Sequence, residues 1–319
     1  MLEVELDIFS GNPNPTWVLS ARQEKVLYEL LYADPGQISP ERSASKQLGL
    51  GYRGLIVRRS KTDDGPWDKA ASKKDRGLPD AFRLGLNPAS KESAATLLLH
   101  GASNEGARLS DEVQSVAARG IERVPRLSGP IDPTSKADFK KVGKAEVPAD
   151  APYEPTAEDH NTWWACGSNY FNANADFFNQ PSRVTQNNCY CFASNHAPNI
   201  RYALPGRRGG RPATSITCGG VIDGLRADGW QPGCQPNGLT IALVIWPNND
   251  YHFYRLVTGQ PYWWWGHKPG GTPAKYTDDC GHPIYQFQGR GYAPNNICRG
   301  PYVDLCDYFY QNNSTAFVA

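Results

Sequence analysis

Cys189 lies in the run Gln186-Asn187-Asn188-Cys189-Tyr190-Cys191-Phe192-Ala193. Asparagine directly before a cysteine suits a helix N-cap. A cysteine in the first helical turn has its thiolate stabilised by the helix dipole and by unpaired N–H groups. The same N–H groups can hold the oxyanion that forms when a thiolate attacks a carbonyl, and Gln186 is placed to add a donor. Such a nucleophile needs a base. Histidines follow at 160, 196, 252, 267 and 282. His196 is two turns along the same predicted helix and out of reach. His252 sits in the β-forming segment Tyr251-His252-Phe253-Tyr254-Arg255. A turn centred on Gly259 and Gln260 pairs residues whose numbers total 519, which sets His252 opposite His267 on one face of a hairpin. The chemistry this predicts is nucleophilic attack on an amide: Cys189 attacks, His252 accepts the proton, and His267 orients His252. Only one of Cys189 and Cys191, two positions on, can face the hairpin. Cys189, nearer the cap, is the expected nucleophile and Cys191 a core residue or disulfide partner, with Cys191 as nucleophile the alternative.

The elements that must position these groups form an α+β second half. A helix is predicted around 188–196 and another over Thr217–Asp228. Strands are predicted at Leu239–Trp246, Asp250–Val257 and Tyr262–Lys268, followed by loops and short strands rich in Gly, Pro and Cys. Alternation turns part of Trp263-Trp264-Trp265 inward. Trp263, Trp265 and Tyr254 are the candidates for stacking on substrate. Residues 124–160 hold six prolines in a charged stretch and read as a linker. Residues 1–123 read as a small α/β accessory domain: a strand from Leu2 to Ile8, a turn cluster over Gly11–Pro15, and a helix opened by Ser20 and Gln23 as a capping box. A strand at Gly51–Arg58, a charged loop over 60–77 and helices at Ser93–His100 and Ser110–Val124 follow. The N-terminal half carries no chemistry. It is a candidate for docking a protein partner.

The order of a cysteine at a helix start, a strand histidine some sixty residues later and a polar group on the next strand resembles the papain-like cysteine hydrolases. The likeness is greatest to the compact NlpC-type and CHAP-type peptidases and amidases, over about residues 183–270. It implies a nucleophile helix packed on an antiparallel sheet, a Cys189–His252–His267 triad, and a peptide or peptidoglycan-like substrate. The Asp-Cys-Ser-Gly start usual in those bacterial enzymes is absent, and the extra cysteines and long tail depart from them. The alternative is a non-catalytic, aromatic-rich module on the same fold, packing in a larger assembly or binding carbohydrate.

The chain has 319 residues with 33 basic and 32 acidic side chains, so nothing in its charge favours nucleic acid. No apolar run is long enough to span a membrane, and no secretory signal opens the sequence. The sequence as written starts in the cytosol, with leaderless export open. All eight cysteines follow residue 165. If one is a catalytic thiol, three bridges and one further free thiol are the natural count, with at least one bridge expected among Cys218, Cys234, Cys280, Cys298 and Cys306 in an oxidising compartment. Cys280-Gly281-His282 and Cys189-Tyr190-Cys191 offer soft ligands, but the sequence has no Cys-x-x-Cys pair, so no structural zinc is expected; no cofactor is expected either. Asn312 and Asn313 open two overlapping glycosylation acceptors, completed by Ser314 and Thr315.

Overall fold

A computed structural model describes residues 1–41, 49–59, 78–90, 92–102, 107–123, 166, 169–259, 262–287 and 290–319. The linker at 124–160, the charged loop at 60–77, His160 and turn residue Gln260 lie outside the described residues. The chain forms two compact units: Met1–Ile8 with Asn14–Ser128, and Phe9–Pro13 with Gly129–Ala319. The domain division expected from sequence put Phe9–Pro13 with the N-terminal half; the structure places it in the second unit.

The first unit is a five-stranded sheet in the order β2-β1-β4-β5-β3. Its strands are β1 (Leu2–Leu6), β2 (Thr16–Val18), β3 (Ser39–Pro40), β4 (Leu55–Arg59) and β5 (Ala81–Leu84). Every pairing is antiparallel. This corrects the α/β expectation, which needs parallel strands joined by crossovers. Three α-helices are described with the sheet: α1 (Ala21–Ala33), α2 (Ala94–Gly101) and α3 (Asp111–Arg123). The Ser20 N–H donates to Gln23 Oε1 at 3.0 Å, the reciprocal bond of a capping box. Asp7 is buried between Arg53 Nη2 at 2.8 Å and Arg83 Nη1 at 2.7 Å. Burial alone would raise its pKa, but the two guanidiniums hold its carboxyl far below the usual range.

The second unit is a six-stranded sheet in the order β10-β9-β8-β7-β6-β11. Its strands are β6 (Gly238–Trp246), β7 (Asp250–Leu256), β8 (Tyr262–His267), β9 (Tyr285–Phe287), β10 (Arg290–Gly291) and β11 (Asp304–Asn312). All pairings between these strands are antiparallel, and one isolated bridge, Asn169 to Gly238, is parallel. Three helices are described: α4 (Ala175–Phe178), α5 (Cys189–Ala193) and α6 (Cys218–Ala227). The mixture of helices with antiparallel sheets makes the protein α+β. No described helix is long and apolar enough to cross a membrane.

β6 and β7 are buried along their whole length, so both faces of the sheet are covered at these central strands. Alternation assigns residues to faces. On one face Ile241, Leu243, Ile245, Tyr251, Phe253 and Trp264 form a core with Cys189, Tyr190, Phe192 and Val221. On the other face Ala242, Val244, Trp246, Tyr254 and Trp265 are buried under loops. Tyr302 from the tail lies 6.1 Å from Trp246, and Phe9 lies 5.7 Å from the same indole. The Gly/Pro/Cys-rich tail is therefore the second layer of the domain.

Disulfides join Cys166–Cys234, Cys218–Cys306 and Cys280–Cys298. Cys306 falls at the register break between Leu305 and Asp307 in β11. The bulge turns this residue out of the alternation, and it bonds Cys218 at the start of α6.

Candidate functional site

Cys189 is the first residue of α5, capped by Asn188, whose side chain accepts the Cys191 N–H at 3.2 Å. The cap expected from sequence is present, and it occupies an N–H that was assigned to oxyanion binding. Asn188 Nδ2 donates to the Ala203 and Gly11 carbonyls. The helix ends after one turn and a half. Asn195 adopts a left-handed φ of 50°, with Asn195 N–H bonded to Phe192 O and His196 N–H to Cys191 O. That is a Schellman closure with asparagine in place of glycine. His196 lies beyond it, and its Nδ1 accepts the Val318 N–H at 3.2 Å.

Among the described residues, the thiol meets no base. Cys189 is fully buried, and its Sγ lies 3.8 Å from the Tyr251 carbonyl. α5 packs on the face of β7 that carries Tyr251 and Phe253. His252 projects from the opposite face, so the sheet separates it from the sulfur. Burial pushes the Cys189 thiol up, and the nearby Asp250 carboxylate adds to this. Cys191 is also buried, with Sγ 3.5 Å from Ile200 O and its pKa pushed up by burial to about 11. Both thiols are protonated core side chains, whereas a nucleophile needs thiolate and access.

The histidine pair exists in a different register. β7 and β8 pair Tyr254 with His267 and Leu256 with Trp265, so paired numbers total 521 rather than 519. A slip of two preserves the face. His252 is therefore diagonal to His267, with Nε2 2.9 Å from Nδ1. His267 Nε2 lies 2.8 Å from the Thr277 carbonyl. Burial and the nearby Lys275 ammonium hold the His267 pKa well below its ordinary value.

The remaining candidates fall apart in the same way. Gln186 is exposed and bonds Thr185 Oγ1, away from any oxyanion site. Tyr254 and Trp265 are fully buried and cannot stack on a ligand. Trp263 is partly exposed and packs edge-on against Phe171 at 5.9 Å. Cys280, His282 and Cys298 bring ligand atoms within 4.8 Å of one another. The two sulfurs are bonded to each other, which removes them as metal ligands.

The sequence reading missed the polar centre of this unit. Asp250, buried at the start of β7, accepts the Ser10 N–H at 2.5 Å, the Gly11 N–H at 3.1 Å and the Asn12 N–H at 2.8 Å. The Tyr302 hydroxyl also donates to it. Burial pushes its pKa up to about 6, against those four hydrogen bonds. Gly11 is required here, because a Cβ would stand 2.4 Å from Tyr251 Cε2. The only signal in sequence was the Gly/Asn/Pro cluster at 11–15, and successive N–H groups in such a turn make an anion-binding concavity.

No protein-family model matches the chain, and no solved structure matches it significantly. The chain is 41% identical over 123 residues to insoluble matrix shell protein 1 of Ruditapes philippinarum, a match covering 38% of this chain and 76% of that protein. That relative is named for a shell matrix and not for any peptidase or amidase activity. With the separated cysteine and histidines, it overturns the expectation of a thiol hydrolase. At this identity over three quarters of its relative, the chain belongs to the family of insoluble matrix shell protein 1.

Proposed function

We propose that this protein is a structural component of an insoluble extracellular matrix such as that of a shell, a non-catalytic module that packs in a larger assembly. The carrying observation is the 41% identity over 76% of a shell matrix protein. The interior supports the reading. Both free thiols are buried, three disulfides staple the second unit, and its sheet is packed on both faces at the central strands. Proteins so stapled belong to oxidising, extracellular settings. We infer papain-like ancestry for the architecture alone, supported by the helix that starts at Cys189 and packs on an antiparallel sheet. Partners under this reading are other matrix proteins.

Fractionation of the organism's matrix tests the proposal. An antibody to this chain should detect it in the residue left after demineralisation and detergent extraction. Recovery of the chain from cell extracts, with none in that residue, would overturn it.

A further inference from the structure

Asn312 and Asn313 each open an acceptor triplet, Asn312-Asn313-Ser314 and Asn313-Ser314-Thr315. The matrix reading leaves both unused. We propose that Asn313, and not Asn312, carries an N-linked glycan.

The two amides are in different states. Asn312 is committed at both ends of its side chain. Its Oδ1 accepts the Ser314 N–H at 2.9 Å and the Ser314 hydroxyl at 2.7 Å, and its Nδ2 donates to the Pro236 carbonyl at 2.7 Å. This is an Asx-type turn, and it closes the end of β11. Asn313 is held by its oxygen alone: Asn195 Nδ2 donates to Asn313 Oδ1 at 2.8 Å. The direction is fixed, because Asn195 Oδ1 is itself the acceptor from Asn174 Nδ2 at 2.7 Å. Asn313 Nδ2, the atom that would carry the sugar, donates to no described residue. Asn313 is partly exposed, and Ser314 and Thr315 beside it are exposed. A glycan on Asn313 would leave the bond from Asn195 intact, whereas one on Asn312 would crowd the Pro236 carbonyl.

The three disulfides place the chain in a compartment where the donor is found. The co-reactant is an oligosaccharide linked through pyrophosphate to a membrane lipid. Asn313 Nδ2 forms a bond to the anomeric carbon and loses a proton. The bond from that carbon to the phosphate oxygen breaks, and the lipid pyrophosphate leaves. The inference needs passage through a secretory lumen and does not depend on the matrix role.

Two substitutions separate the acceptors without changing either asparagine. Ser314→Ala destroys the Asn312 triplet and keeps the other; Thr315→Ala does the reverse. The full chain is expressed behind a secretion signal in a eukaryotic host, and formation of the three bridges is verified by unreduced peptide mapping. Amidase release of the glycan in heavy-oxygen water then marks the glycosylated asparagine. The expected result is a label on Asn313 in the parent and in Ser314→Ala, with complete loss in Thr315→Ala and in Asn313→Gln. Secreted, correctly bridged protein that carries no glycan, or carries it on Asn312, overturns the proposal.

Discussion

His252 Nε2 lies 2.9 Å from His267 Nδ1, on the face of the sheet that Cys189 does not touch. The proton positions follow from the far end of the pair. A carbonyl can only accept, so the Thr277 oxygen requires a proton on His267 Nε2. Neutral His267 then accepts at Nδ1, and His252 donates from Nε2. His267 is thus a fixed, neutral strut whose Nδ1 accepts from His252.

That strut predicts a pH dependence. The folded-state pKa of His267 is depressed by burial from 6.5. Its contribution is fully present above about 6.5 and is lost as pH falls, because the unfolded state takes up the proton first. The slope from this group is at most about 1.4 kcal/mol per pH unit. Chemical denaturation of the parent below that pH should show a loss that His267→Phe lacks. An unchanged slope in the variant would remove His267 as its source.

Neither free thiol should be reactive. Iodoacetamide at neutral pH should leave Cys189 and Cys191 unmodified in the native protein and label both after unfolding. Cys189→Ala should cost about 1–2 kcal/mol as a loss of core packing. Fast labelling of Cys189 in folded protein would contradict the buried, protonated state.

In the first unit, Asp7 serves two arginines at once. Its folded-state pKa is depressed, so its contribution is present above the usual carboxylate value and lost as pH falls below it. Asp7→Asn leaves Arg53 and Arg83 facing each other without the charge between them. A cost of about 3–5 kcal/mol is expected. By calorimetry, the variant should also lack the acid-induced loss of stability expected of the parent.

The disulfides should differ in weight. Cys218–Cys306 spans 88 residues and Cys280–Cys298 spans 18. Loop-closure entropy assigns them about 4.5 and about 3 kcal/mol. Serine pairs at each bridge, compared by urea midpoint, should rank in that order. The reverse ranking would mean that native-state strain outweighs the entropy of the unfolded chain.

Much of the second unit was legible because its signals are local. LTIALVIW reads as a buried strand and forms β6, and the boundaries of α6 follow from Thr217 as its cap. The asparagine cap on Cys189 was also correctly read. What failed was long-range. No pattern within β7 says which face meets α5, and that single bit decides whether His252 can reach Cys189. The register error came from centring the turn one residue early: the observed pairs put the midpoint between positions 260 and 261. In the first unit β2, β3 and β5 have two to four residues each, too short for an alternation to register.

The carboxylate of Asp250 and the N–H of Ser10 are 240 positions apart in sequence. A chain made from its N-terminus exposes Ser10, Gly11 and Asn12 long before Asp250 is synthesised, so this contact can form only late. Contacts of such separation slow folding, since the closure entropy precedes any gain. The bond also forbids a simple excision. A fragment beginning after the proline-rich stretch would bury the Asp250 charge with Tyr302 as its one remaining donor of the four. Supplying residues 9–13 as a separate peptide should therefore restore to that fragment what the cut removed, in the manner of a missing piece of its interior.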